Sequence, residues 1–365
     1  MTAASPGLLA QALIDWQRLA GRHDLPWQGT RDPYRIWVSE IMLQQTQVTA
    51  VREYYLRFMA RFPDVASLAA ADLETVLRHW SGLGYYARAR HLHAAARVVM
   101  TAWGGQFPTD PQTLQSLPGI GRSTAAAIAA FSCGTPVPIL DGNVKRVLAR
   151  VFAVAGDPSE RAVEQQLWGV AARELPAPGA GRIETYTQAL MDLGATVCVR
   201  QRPRCEACPV ADLCEARRQD RVAELPQPRR RPAQPLRHAD WICLSQGESV
   251  LLAQRPATGL WGGLWALPEL IAPTESPGAR IDEAGVARWV EQAGLGPLQG
   301  QPVRRADLRH VFTHFRLQAR IWQVERMGPP RAALPGLLWM SWSEALDAPL
   351  PRPVKRLLSA PRDSR

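Results

Sequence analysis

A chain of 365 residues with 46% hydrophobic content can bury one or two full cores, and domain statistics favour two over a single unit. Its formal net charge of +10 comes almost wholly from arginine, with Lys145 and Lys355 as the lysines, a balance that suits a polyanionic partner. The opening, MTAASPGLLAQALIDWQRLAGRHDL, meets a charge at Asp15 and has neither a basic start nor a long apolar run; it reads as an amphipathic helix, which excludes a signal peptide or membrane span there.

In chain order the next signal is RDPYRIWVSEIMLQQT, where Asp32 is placed to cap and Pro33 to open a helix running to about Thr46. Apolar residues at helical spacing recur over 64–80, 86–102, 122–132, 143–153, 159–173 and 182–197, which predicts a mainly α first domain over residues 1–224. Residues 225–238, LPQPRRRPAQPLRH, cannot continue a helix and bury little, so they read as a semi-extended linker; 226–237 hold arginines and no acidic side chain. Beyond it DWICLSQGESVLLAQRP predicts two short strands around a Gly-Glu-Ser turn, and HVFTHFRLQARIWQVE one long, partly alternating strand. With helices expected over 282–294 and 353–359, residues 239–365 form an α+β domain, and no internal repeat relates the two halves.

Four of the six cysteines, Cys198, Cys205, Cys208 and Cys214, follow the spacing C-x6-C-x2-C-x5-C at the end of the helical region. Four thiolates converging on one short loop suit either a tetrahedral zinc or a cubane iron-sulfur cluster, and spacing favours a metal without choosing between them. Nothing suggests export to an oxidising compartment, so disulfides are the weaker reading. Cys133 and Cys243 stand apart and are expected to be buried thiols.

Between two helical stretches lies LPGIGRSTAAAIAAF, in which Gly119 and Gly121 let the backbone turn tightly and expose amide N–H groups at the start of the next helix. Such a corner can hold a DNA phosphate without reading sequence. Asp141 follows in PILDGNVKRVLAR at the start of another helix, beside Lys145 and Arg146.

LPGIG, LDGNVKRVLAR and the cysteine loop together resemble the helix-hairpin-helix glycosylase superfamily that includes endonuclease III. Within it LPW at 25–27, SEIMLQQTQV at 39–48 and GLGYYARAR at 82–90 are similar to the MutY family, nearly continuously from about residue 25 to 214. The resemblance implies excision of adenine mispaired with 8-oxoguanine or guanine in duplex DNA, leaving an abasic site. The residues suit that chemistry on their own terms: the leaving adenine needs an acid, and the oxocarbenium-like sugar needs an anion. Glu40, flanked by Ile41, Met42 and Leu43, can sit in a dry pocket with a raised pKa, and the resemblance makes it the acid for adenine N7. Asp141, near a helix N-terminus that favours its charged form, becomes the stabiliser or transient nucleophile.

Glu40, Leu43 and Gln44 share one helical face, with Gln45 beside them. By similarity Trp27, Leu43 and Gln45 line the flipped-base pocket, Asn143 and Gln188 match further pocket positions, and Gln44 and Tyr85 fill or probe the duplex. Gly119, Gly121, Ser123 and Lys145 are expected at the DNA; Ser123 stands where bifunctional relatives place the lysine for strand cleavage, so a monofunctional enzyme is implied. The resemblance also assigns a 4Fe-4S cluster to the four cysteines, shaping a basic loop with Arg200, Arg202 and Arg204.

LLAQRPATGLWGGLWALPEL resembles the opening of Nudix folds, but no glutamate-rich REx2E helix follows, since 278–295 read GARIDEAGVARWVEQAGL; pyrophosphohydrolase activity is not expected. In the MutY family this domain reads 8-oxoguanine, and FTHF, with Phe312, Thr313 and His314, matches its recognition loop. A pyrimidine glycosylase/lyase and a non-catalytic, zinc-containing DNA-binding protein stay as rival readings. The expected setting is a monomer on double-stranded DNA at a bacterial nucleoid, in the cytoplasm and away from membranes.

Overall fold

Side-chain caps decide where many of the helices begin. The computed structural model describes residues 7–177, 182–229, 233–270, 280–328 and 335–360; the middle of the expected linker, 230–232, lies outside them. The chain divides into two compact units, 1–70 with 91–230 and 71–90 with 231–365, so residues 71–90 group with the C-terminal part of the chain. Among the described residues no helix is long and apolar enough to cross a membrane.

The helices before the first strand are α1 (Leu8–Ala20), α2 (Pro33–Leu43), α3 (Val48–Arg61), α4 (Val65–Ala70), α5 (Leu73–Trp80), α6 (Ala87–Trp103), α7 (Pro111–Gln115), α8 (Arg122–Cys133), α9 (Gly142–Val151), α10 (Arg161–Arg173), α11 (Ile183–Thr196) and α12 (Glu215–Arg218). Asp32, Asp72, Asp110 and Asp141 each accept a backbone N–H of the following turn, and Pro33 and Pro111 occupy first-turn positions where no donor is needed. The expected helix over 64–80 is two helices, because Asp72 caps α5 and stops the run from α4. Likewise α2 ends at Leu43 and not near Thr46: Gln45 adopts a left-handed conformation (φ 56°), and the Thr46 N–H closes the turn on the Leu43 carbonyl at 3.2 Å. Cys133 is exposed at the end of α8, contrary to expectation, whereas Cys243 is buried.

The first unit packs α1 on α11, α2 on α8 and α11 on α9. Ala125–Ala130 of α8 are all buried, and all but Ile128 are alanines whose small side chains let neighbouring helices approach closely. Leu13, Val144, Val147, Leu148, Leu167 and Leu193 form the centre of this core, each fully inaccessible.

The second unit carries β1 (Leu236–Gln246), β2 (Ser249–Gln254), β3 (Trp265–Ala266), β4 (Glu269–Leu270), α13 (Glu283–Gln292), β5 (Leu298–Val311), β6 (Arg316–Arg326), β7 (Leu337–Ser341), α14 (Trp342–Asp347) and α15 (Arg352–Leu358). The main path of the sheet runs β3-β2-β1-β6-β5, with β1 and β6 parallel, β4 on β1 and β7 on β2. β1 and β2 meet in the expected turn, but β1 starts at Leu236, inside the expected linker. Alternation along β1 sends Trp241 and Cys243 to one face, with Trp342 and Val354 of α14 and α15, and Ile242 and Leu244 to the other, with Val286 and Val290 of α13. The single strand expected over 310–325 is a hairpin: β5 ends at Val311, FTHF turns the chain, and β6 returns from Arg316.

Candidate active site and nucleic-acid interface

α2 supplies Glu40 one turn before its end, where α2, α8, α11 and the loop carrying Trp27 line a pocket. Trp27, Glu40, Leu43 and Gln188 line it, as expected, together with Arg22, Thr30 and Phe131. Trp27 is buried and held edge-on by Tyr55, ring centres 5.5 Å apart. The far wall is a polar network that sequence reasoning missed. Asp192, with no exposed surface, accepts from Arg22 Nε at 2.7 Å, from the Arg22 backbone N–H at 2.9 Å and from Gln188 Nε2 at 2.8 Å. Gln28 Nε2 donates to the Arg22 carbonyl at 2.9 Å and completes the wall. The i, i+4 spacing of Gln188 and Asp192 was the available signal, but the partner Arg22 lies 170 residues away in sequence.

Burial pushes the Glu40 carboxyl up to about 8, and the negative charge of Asp141 adds to the shift. At neutral pH Glu40 therefore holds a proton. Asp141 caps α9, accepting from the Val144 N–H at 2.7 Å, with Asn143 and Arg146 also favouring its charge. Burial nevertheless outweighs these partners and raises its pKa, so the helix terminus offsets the desolvation in part, where the sequence suggested a net preference for the charged form. Asn143 does not line the cavity: its side chain bonds Asp141 and accepts from Arg146 Nη2 at 2.9 Å. Gln45 is exposed just past the end of α2, also away from the cavity wall. Its left-handed backbone is the kind of strain that persists where the surroundings over-determine a residue. Gln44 Nε2 lies 3.4 Å from Thr124 Oγ1 on α8.

The hairpin between α7 and α8 turns at Leu117–Gly121. Gly119 has φ +79°, and a Cβ there would come within 2.7 Å of His91 Cβ, so both conformation and space require glycine. Gly121 caps α8, leaving first-turn N–H groups available for an anion. Ser123 Oγ accepts the Leu140 N–H at 2.9 Å, tying this helix to the residue before Asp141. Lys145 was expected at a phosphate; its ammonium is instead paired with Glu164 Oε1 at 2.6 Å and donates to the Pro158 carbonyl.

Cys198, Cys205, Cys208 and Cys214 all line one cavity, together with Arg150, Leu193 and Val210. Among the described residues no three ligand side chains close on a single-ion site. Burial pushes the Cys208 thiol up to about 11 and raises Cys214 as well, so a thiolate at these two positions calls for a bound cation at neutral pH. Arg150, buried, donates to the Val199 and Arg200 carbonyls at 2.8 and 3.1 Å and approaches Cys198 Sγ at 3.4 Å. The set fits an iron-sulfur cluster.

In the second unit Tyr85 is 47% exposed on a turn with φ +49°. Thr313 and His314 are exposed at the tip of the β5–β6 hairpin, which excludes a core role for His314; the packed histidine is His310, 4.5 Å from the Phe312 ring centre. Phe312 and Phe315 stack at 4.6 Å, and Gln234 Nε2 donates to the carbonyls of Phe312 and Thr313, fixing the turn.

Comparison with known proteins agrees with this geometry. Residues 38–173 match the model of the HhH-GPD superfamily of base excision DNA repair proteins, 198–214 that of the iron-sulfur binding domain of endonuclease III, and 240–360 that of the NUDIX domain. The adenine DNA glycosylase of Rattus norvegicus is 35% identical over 400 residues, which cover 94% of this chain and 76% of the relative. That of Homo sapiens is 35% identical over 403 residues, covering 95% and 72%. The solved structure of a thermostable thymine-DNA glycosylase is similar with a TM-score of 0.52 at 28% identity, over 57% of this chain and 95% of that one.

Proposed function

Because the chain belongs to the adenine DNA glycosylases of the helix-hairpin-helix base-excision repair superfamily, we propose that Glu40 and Asp141 divide its reaction between them. The observation that carries this is the pair of half-buried carboxyls with unlike partners: Glu40 desolvated and pushed up to about 8, Asp141 hydrogen-bonded at a helix start. Glu40 gives its proton to N7 of a flipped adenine, which makes the base a neutral leaving group. Asp141 carries the charge that stabilises the sugar cation until water adds. Trp27 and Leu43 supply apolar walls for the base, and the Arg22–Asp192–Gln188 network holds the polar wall in place.

The substrate is adenine opposite 8-oxoguanine or guanine in duplex DNA. Gln44, Gln45 and Tyr85 enter or fill the stack, the Gly119–Gly121 hairpin seats a phosphate, and Thr313 and His314 read the base opposite. The helical domain performs the cleavage and the Nudix-like domain reads the damage, on a monomer acting at DNA in the cytoplasm, at the nucleoid of a bacterium. Cys198, Cys205, Cys208 and Cys214 would hold a 4Fe-4S cluster, whose contribution is to fold the basic loop around them. Ser123 brings no amine to the site, so hydrolysis without strand cleavage is the expected outcome.

Single-turnover excision on duplexes carrying 8-oxoguanine:adenine, guanine:adenine and thymine glycol, scored with and without alkaline strand cleavage, tests the reading. Adenine release that nicks DNA only after alkali is expected. Efficient thymine glycol excision, or a stoichiometric adduct trapped by borohydride, would refute it.

A further inference from the structure

Residues 71–90 and 231–365 form one unit, and the polar ties that hold them together fall on both sides of Tyr85. Ser81 Oγ and Tyr86 OH both donate to the Leu350 carbonyl, at 3.1 and 3.2 Å, and Leu350 is fully buried in the core beneath α14 and α15. Arg90 Nη1 donates to the Gly262 carbonyl at 2.8 Å, and Trp265 Nε1 to Glu74 Oε1 at 3.2 Å. Leu77 lies so near Gly263 that a Cβ there would meet its Cδ1 at 3.2 Å.

The turn itself is tightly wound. Gly82, Gly84 and Tyr85 all have positive φ, and Trp80 Nε1 and Arg88 Nη2 both donate to the Gly84 carbonyl at 3.1 Å. A turn fixed in this way moves with its mounting, because the strained residues have few alternative conformations. The mounting leads to the reader hairpin. Gly262 follows Trp261, whose ring centre lies 5.6 Å from Phe312 and 6.1 Å from His310, and Phe312 opens the turn that presents Thr313 and His314. Direct contacts thus run from the hairpin through Phe312, Trp261, the Gly262 carbonyl and Arg90 to the turn bearing Tyr85.

We propose that Ser81, Tyr86 and Arg90 are positioning residues that mount the Tyr85 wedge on the reader of the opposite base, so that reading that base and probing the stack are one coupled act. This rests on the roles given above to Tyr85 and His314. Coupling of this kind is a shared free energy, and it appears as non-additivity between substitutions at the two ends.

The test uses the full-length protein and the ratio of single-turnover excision rates on 8-oxoguanine:adenine and guanine:adenine duplexes. Arg90→Ala is expected to lower that ratio ~10-fold, within the span of ordinary site-to-site coupling, with guanine:adenine excision little altered. Arg90→Lys keeps a donor for the Gly262 carbonyl and should restore most of the ratio. Tyr86→Phe removes one hydroxyl and should lower the ratio in the same direction, which keeps the test decisive if Arg90→Ala folds poorly. Adding His314→Ala to either variant should lower the ratio no further than His314→Ala alone. Multiplicative loss in the double variants, or an equal loss of both rates in Arg90→Ala and Tyr86→Phe, would overturn the coupling while leaving His314 as a reader. A ratio unchanged by His314→Ala would overturn the reader assignment itself, and the coupling with it.

Discussion

The sharpest consequence of the half-buried carboxyl pair is a pH profile whose sense follows from Glu40. An acid must be protonated to act, and Glu40 is pushed up to about 8 from an ordinary value of 4.5. At pH 7 a carboxyl titrating near 8 is about 90% protonated, while one left at 4.5 would be about 0.3% protonated, so burial and the Asp141 charge together enlarge the active fraction about 300-fold. Single-turnover excision of adenine, with enzyme in excess so that product release is hidden, should be level through neutrality and fall about tenfold per pH unit above ~8. Glu40→Gln keeps the shape and removes the transferable proton; excision should drop by ~10²-fold or more, lose the alkaline limb, and leave binding to the mispair largely intact. Excision that rises between pH 6 and 9, or that already fails above pH ~5, would show that the acid is not this carboxyl. Near-normal excision by Glu40→Gln would remove it from the mechanism altogether.

The same shift predicts a stability effect of opposite sense to that of a salt-bridged carboxylate. Folded Glu40 holds its proton while the unfolded chain releases it between pH ~4.5 and ~8, so folding loses stability as pH rises through that window; thermal melts of Glu40→Gln should gain on the parent progressively from pH 5 to pH 8. Asp192→Asn leaves Arg22 without its buried partner and should cost about 3 kcal/mol in denaturant unfolding, together with adenine excision; a loss below ~1 kcal/mol would mean the network is dispensable. Gly119→Ala forces a Cβ against His91 at positive φ, so affinity should fall alike for damaged and undamaged duplexes; a selective loss for one mispair would contradict a phosphate role. Cys208→Ser should lower iron content and folded yield more than the bond-breaking rate per folded molecule, checked by metal analysis and visible absorption; a colourless, fully active parent protein containing zinc would refute the cluster.

Much of the helical unit was legible because its signals are local. Asp32–Pro33 and Asp141–Gly142 announce helix starts, and LPGIG announces its own turn. Apolar spacing located α6, α8, α10 and α11 to within a residue or two. It did not show where α2 stops, because helical propensity continues through Gln44 and Gln45, whereas the chain turns there with Gln45 at positive φ and the Thr46 N–H on the Leu43 carbonyl. The hairpin at 312–315 was hidden for a related reason: Phe312 and Phe315 look like strand residues, yet they stack across the turn and leave Thr313 and His314 outside. Most opaque were the partnerships across long separations. Arg22 with Asp192, and Tyr86 with Leu350, join points 170 and 264 residues apart that no periodicity connects. Pocket residues were named by chemistry and resemblance, and their supporting wall appeared only in three dimensions.

Helix α9 also works as a strut. Its cap is Asp141; its next turns carry Arg146, which donates to the Gly194 and Cys198 carbonyls at 2.6 and 2.8 Å, and Arg150, which grips the Val199, Arg200 and Leu225 carbonyls. From Asp141 to Arg150 the helix spans roughly 14 Å, so one element carries both the cap at one end and the grip on the cysteine loop at the other. Loss of the loop's ligand would strip Arg146 and Arg150 of partners along the length of α9, so damage there shows first in how much protein stays folded, and the rate of each folded molecule changes least.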